Sequence, residues 1–163
     1  MGTVLASKII GEARDKLNDN GAVKRWPDTQ LLYDLNFVQR FIATKHDIAT
    51  SIRASMSMAS GSLQTIPTDG LYLEDVYGNT GGKAVRIADK ASYDAFRPSW
   101  PNDTKVAQVE EYFSAGKEDR KNFYVYPPSN GTGSLDIKYK QLPADITSLS
   151  NPINISDEYE NDL

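Results

Sequence analysis

The sequence predicts an α+β fold, with N-terminal helices packed with an antiparallel β-sheet and hairpin region. Three observations carry that prediction. Apolar residues recur at helical spacing through the first part of the chain. From Ser60 onward they alternate with polar residues, the period of half-buried strands. The two patterns are segregated along the chain, which argues against alternating α/β. The resulting division is a helical region at 1–58, an antiparallel β region at 59–145 and a C-terminal tail at 146–163, within one structural domain.

Residues 3–17 carry Val4, Ile9, Ile10, Ala13 and Leu17 on one helical face, and Asn18-Asp19-Asn20-Gly21 supplies the stop. A second helix enters through KRWPDTQ. Pro27 suits a first turn, and Asp28 can cap free N–H groups and complement the positive helix end. The helix is expected to run through LLYDLNFVQRFIATKHDIATSI. Leu31, Leu35, Val38 and Ile42 form its stripe, and Leu32, Phe37 and Phe41 widen it towards more than one neighbour. Trp26 is expected to be buried against these helices with Leu31, Leu35 and Val38.

Strands are read in SLQTIPTD (62–69), LYLEDVYGN (71–79), KAVRIAD (83–89) and KVAQVEEYFSAG (105–116). DKASYDAF reads as a short helix capped by Asp89, and RPSWPNDT as an irregular loop holding Trp100. KNFYVYPPSNGTGSLDIKYKQLP (121–143) reads as strand, turn, strand. Tyr124 and Tyr126 share one face of its first strand, and that strand is expected to pair with the one ending near Tyr139. Pro127 and Pro128 cannot donate ladder hydrogen bonds, so a tip containing Asn130 and Gly131 is expected to project as a docking element. The tail lacks an apolar stripe and ends in acidic SDEYENDL. It is expected to be mobile until neighbours order it, with Tyr159 as a candidate contact.

The chemistry-bearing residues are few. The 163 residues include no cysteine and one histidine, which excludes disulfides and thiolate metal sites and disfavours a histidine-based one. His46 has Asp47 beside it, but adjacent helical residues point about 100° apart. Glu110 and Glu111 face opposite sides of a strand, and Glu118-Asp119 sits in a charged turn. NGTGS lacks the Lys-Ser/Thr ending and the following helix of a phosphate loop. No catalytic, cofactor or metal residue is assigned. No apolar run approaches the ~18 residues of a membrane span, and the N-terminus, interrupted by Lys8, Glu12 and Arg14, is not patterned as a signal peptide. A net charge of -4 disfavours tight gripping of nucleic acid. Exposed aromatics leave two binding classes: a protein interface, and a carbohydrate platform built from Trp100, Tyr124 and Tyr126.

The ordered motifs say more. KLNDNGAVKRWPDTQLLYDLNFVQRFIA resembles the opening of head-to-tail connector (adaptor) proteins of tailed bacteriophages, through Leu17, Asn18, Asp19, Arg25, Trp26, Asp28, Leu31, Leu32, Leu35 and Asn36. SGSLQTIPTD, VYGN, VRIADK, SWPNDT with Trp100, and FYVYPP follow in similar order. Pro27 departs from a more usual threonine cap, and such proteins generally continue past DEYENDL into a further helix. The resemblance implies a non-enzymatic virion protein at the head–tail junction, assembled in the host cytoplasm. It implies a homo-oligomeric ring of twelve copies that contacts the portal protein and a tail or nozzle protein. Genomic DNA would pass through the lumen without sequence-specific binding, and no membrane would be involved. Tyr124, Tyr126, Pro127, Pro128, Asn130, Gly131 and Tyr159 are the candidate interface.

Overall fold

The computed structural model describes residues 2–46 and 50–163, with Asn161 by its backbone only. The chain divides into two compact units, Met1–Thr50 with Leu142–Leu163, and Ser51–Gln141.

The first unit is built on α1 (Ala6–Leu17) and α2 (Asp28–Lys45). Asn18 ends α1 in the left-handed conformation at φ 52, a geometry asparagine tolerates better than most residues. The N-terminus of α1 has no side-chain cap, since Leu5 stands at that position. The C-terminal segment supplies the missing acceptors instead: the Ala6 and Ser7 amides donate to the Asn151 and Leu149 carbonyls, both at 2.9 Å. Asp157 adds a carboxylate that accepts from the Thr3 amide at 2.7 Å. Ile146, Ile153 and Ile155 then fill a core with Ala6, Ile9, Ile10, Leu35 and Ile42. On α2, Asn36 accepts from the Ile146 amide at 2.8 Å and donates to its carbonyl at 2.9 Å. Buried Gln39 accepts from the Asn154 amide at 2.7 Å. Residues 146–163 are thus an integral layer of the helical unit. Their anchors are isolated isoleucines and backbone pairing, neither of which produces the stripe that periodicity detects.

The second unit holds two sheets. β1 (Ser51–Ser57), β7 (Ser134–Gln141) and β3 (Gly70–Asn79) form one, in the order β1-β7-β3. β2 (Ser60–Thr65), β6 (Asn122–Asn130), β5 (Glu111–Ser114) and β4 (Arg86–Ile87) form the other, in the order β2-β6-β5-β4. All pairings are antiparallel except β4 with β5. The inner faces enclose Val76, Val109, Phe123, Val125, Leu135 and Ile137. α3 (Lys90–Phe96) starts at Asp89, whose carboxylate accepts from the Ala91 and Ser92 amides.

Three sequence expectations change. α2 stops at Lys45 and residues 51–57 form β1. The alternation of Ile52, Ala54 and Met56 marks that strand, but the preceding helical pattern absorbs it. The expected continuation through residues 47–49 lies outside the described residues. The expected hairpin does not form: β6 pairs with β2 and β5, whereas β7 pairs with β1 and β3. The turn at 131–133 instead carries the chain from one sheet to the other. A Cβ on Gly133 would stand 2.0 Å from the Ala107 carbonyl oxygen, so only glycine allows this crossing. Pairing does lapse at the prolines, as expected: neither Pro127 nor Pro128 has a ladder partner on β2 or β5. Their lost N–H groups fall where the β2–β6 register shifts between Gly61 and Leu63. The Pro128 carbonyl still accepts from the Val106 amide at 2.9 Å. Pro128 and Ser129 are buried, so the expected turn from Pro127 to Gly133 does not project as a whole and only residues 130–132 are exposed.

The integral C-terminal layer is testable. Ile153→Ala, at a fully buried site, is expected to destabilise the protein by about 2–5 kcal/mol, read by denaturant unfolding. A change near zero would return the segment to a loosely attached tail.

Candidate functional site

The sequence signature gathers in the 18–28 connection around a buried arginine, Arg14, 3% exposed on the last turns of α1. Its guanidinium donates to the Asp19 carboxylate at 2.6 Å, the Trp26 carbonyl at 2.8 Å and the Asp28 carboxylate at 2.5 Å. Asp19 also accepts from the Arg25 amide at 2.7 Å and the Trp26 amide at 3.2 Å. These two backbone donors, followed by the Arg14 charge, hold the Asp19 carboxyl below its ordinary value of 3.8. The N-cap position of α2 is Pro27, which supplies no side-chain cap, and Asp28 stands in the first turn with its carboxylate on Arg14. Trp26 is not buried. Its ring is 41% exposed with the Arg25 guanidinium 5.9 Å from its centroid, because the connection is fastened through the Trp26 backbone. Leu31 and Leu35 do join the helical core, Leu31 at its edge. Arg14, which ties these positions together, sits inside an ordinary amphipathic helix pattern, and nothing in its spacing marks it.

The second constellation lies on the outer face of the β2-β6-β5-β4 sheet. Phe123 and Val125 point into the inter-sheet core, leaving Tyr124 and Tyr126 on the other side. Tyr93, Trp100 and Phe113 complete an aromatic layer there. Ring centroids are 4.9 Å apart for Tyr93–Phe113, 5.0 Å for Tyr93–Tyr126, 5.1 Å for Trp100–Phe113 and 5.9 Å for Trp100–Tyr124. α3 and the 97–103 loop cover it. Trp100 donates to Asp94 at 2.9 Å, Tyr93 donates to Glu111, and Arg97 pairs with Asp103 at 2.9 Å. Lys90 and Arg97 stand 5.4 and 5.7 Å from the Tyr124 and Tyr126 ring centroids. Burial and the Glu111 hydrogen bond push the Tyr93 phenol up to about 12. A sugar platform needs open ring faces, but Trp100 is 1% exposed and the tyrosines are packed edge and face. The carbohydrate reading has no surface here.

The remaining candidates scatter. Asn130 and Gly131 are exposed at the turn between sheets, and Pro127 is half-buried within β6. Tyr159 lies in the helical unit, its ring centroid 5.2 Å from that of His46. His46 ends α2; its sequence neighbour Asp47 lies outside the described residues. Glu111 is held by Tyr93 and Arg86, and Asp119 by Asn122. Glu118 and Asp119 line one open pocket together with Arg120 and Lys121, as neighbours in one charged turn. Among the described residues no cluster of His, Asp or Glu could hold a metal ion, and no helix is long and apolar enough to cross a membrane.

What recurs is scaffolding: buried polar clasps and closed aromatic layers, with the open surface left to exposed side chains. The SU10 adaptor protein family model matches residues 5–163. The chain belongs to this family. No curated protein matches it. The family resemblance read from the ordered motifs therefore stands, and the protein is a phage structural adaptor, a virion component from a family that is not one of enzymes.

Two predictions follow from the clasp and the aromatic layer. A carboxylate held below its unfolded value stabilises the fold fully above about pH 4 and loses that contribution as pH falls through its native value. Asp19→Asn is therefore expected to destabilise the adaptor at neutral pH and to flatten the acid limb of its stability curve. An unchanged limb would remove Asp19 from the account. Trp26→Ala is expected to cost well under the roughly 3–5 kcal/mol of a core aromatic, whereas Trp100→Ala should reach that range. Equal costs in thermal and denaturant melts would contradict the placement of the two rings.

Proposed function

We infer that this adaptor joins the portal to the tail as a homo-oligomeric ring at the head–tail junction and forms part of the DNA conduit. The observation that carries the reading is the family match across nearly the whole chain, at residues 5–163. The physics of the subunit supports it. A ring under load needs subunits that do not rearrange. Both units close their own cores, and the covered aromatic layer stiffens the second sheet. A lumen must let DNA slide, and a subunit of net charge -4 does not supply the dense cationic surface that retains phosphates. Twelve copies would match a twelve-fold portal, each meeting the portal at one rim and a tail or nozzle protein at the other. The ring would form in the host cytoplasm during assembly. Asn130 and Gly131 at the turn between the sheets, and the half-buried Tyr124 and Tyr126 edges, remain contacts for these partners.

The test is mass measurement of the adaptor alone and mixed with its portal protein. The expected product is a discrete complex carrying twelve adaptor chains per portal. An adaptor that adds no mass to the portal, or adds single copies only, would overturn the reading.

A further inference from the structure

The two sheets of the β unit have four outer strands, β1, β3, β2 and β4, and three of these are blunted. β3 carries three register shifts, β2 carries one between Gly61 and Leu63, and β4 is two residues long. Bulges and short strands are devices that keep an open edge from pairing with another chain. β1 has neither. Its seven residues, Ser51–Ser57, match β7 one for one without a shift, and none of them is proline, glycine or lysine.

The β1–β7 register fixes which groups this edge presents. Just past the strand, the Met58 amide donates to the Gly133 carbonyl at 2.9 Å. Antiparallel partners alternate, so Ile52, Ala54 and Met56 also turn their N–H and C=O groups towards β7. Arg53, Ser55 and Ser57 turn theirs the other way, to a side where no strand of the described residues lies. All three are exposed. Side chains do not shield this row. The Arg53 guanidinium lies 4.3 Å from the Tyr77 ring centroid and the Ser55 hydroxyl 2.8 Å from that of Thr80, both reached back across the outer face of the sheet. On the inner face Ile52, Ala54 and Met56 are only partly buried against the core. The edge therefore offers outward N–H and C=O groups at two-residue spacing beside a half-covered apolar row.

We propose that β1 accepts an added strand from a different protein at the head–tail junction. The inference rests on the ring reading and supplies one of its contacts. The hydrogen-bonding row demands an extended backbone, and the half-covered row demands apolar side chains at alternate positions, which together describe strand addition to a sheet edge. A second adaptor does not meet the demand. Its β2, β3 and β4 edges are blunted, which leaves only β1 against β1. That pairing is isologous and stops at a two-fold dimer, whereas a ring is built from contacts that propagate. The occupant is an extended segment of another chain, apolar at alternate positions and uncharged or acidic opposite Arg53, since like charges directly opposite destabilise a strand pair.

Amide exchange tests the edge on the wild-type adaptor alone, with its portal protein, and with portal and tail proteins together. The Arg53, Ser55 and Ser57 amides are expected to exchange rapidly in the adaptor alone and about a hundred-fold more slowly once the protein that supplies the strand is added. The Ile52 and Ala54 amides, which face β7, should be protected throughout. Proline at Ser55 deletes an outward N–H and leaves the β7 ladder whole, whereas Ser55→Ala removes only the contact with Thr80. Ser55→Pro should keep the melting temperature of Ser55→Ala and bind the strand-supplying protein at least ten-fold more weakly. Rapid exchange of the three outward amides in the full complex would overturn the proposal, whether or not Ser55→Pro folds. Their protection in the adaptor alone would overturn it in favour of pairing between copies. Their protection in complexes that carry only single adaptor copies would sustain the edge contact and remove the ring reading.

Discussion

The helical unit depends on the charge of one buried arginine. Arg14 is withdrawn from water at the end of α1, and a buried charge persists only when paired and hydrogen-bonded. Its partners all come from the connection that follows: Asp19, the Trp26 carbonyl and Asp28. Satisfying Arg14 therefore fixes the path from Asn18 to Asp28, and with it where α2 begins and which side it turns inward. Leu35 and Ile42 reach the core because of that rotation, and Tyr33, Phe37 and Phe41 are left outside by the same rotation. A surface aromatic stripe follows from a buried ion pair on a different helix.

The β unit solves a different problem, that of bending one ribbon across two sheets. β1 and β2 run along one strand line, β7 and β6 along its partner, and both cross between the sheets at the same level. At one crossing, buried Gln64 accepts from the Ala59 amide at 2.7 Å and donates to the Ala59 and Gly61 carbonyls at 3.0 Å. At the other, Gly133 passes the Ala107 carbonyl. Buried Asn79 ties the 106–110 chain to the opposite sheet, accepting from the Val109 amide at 2.9 Å and donating to its carbonyl at 2.8 Å. The aromatics of β6 serve this architecture from both sides, Phe123 inward and Tyr124 with Tyr126 outward under α3.

The α+β class, the two long helices, the Asp89 cap and the alternating faces of β6 were legible because each rests on local periodicity or capping chemistry. The signature around Arg25, Trp26 and Asp28 was legible as a pattern but not as a mechanism. Its organising residue, Arg14, lies on α1 eleven residues before Arg25 and looks like any solvated arginine. The hairpin reading failed at a definite point. Asn130-Gly131 does make a turn, with Gly131 at φ 86, but a turn signal does not specify whether the next strand pairs backward or leaves for another sheet. Gly133 decides that, through a clash visible only in three dimensions. The tail was misread for a related reason: Ile146, Ile153 and Ile155 are spaced irregularly because backbone pairing, not a helix, presents them.

Arg14 can orient α2 only if its clasp is formed in the free protein. Residue-resolved amide exchange on the free adaptor measures this directly. The Arg25 and Trp26 amides, both donated to Asp19, are predicted to be strongly protected in the unassembled protein and to lose that protection in Arg14→Met. Exchange of both amides at unfolded rates in the free wild-type chain would contradict the account, because α2 would then be oriented by its neighbours and not by the buried charge.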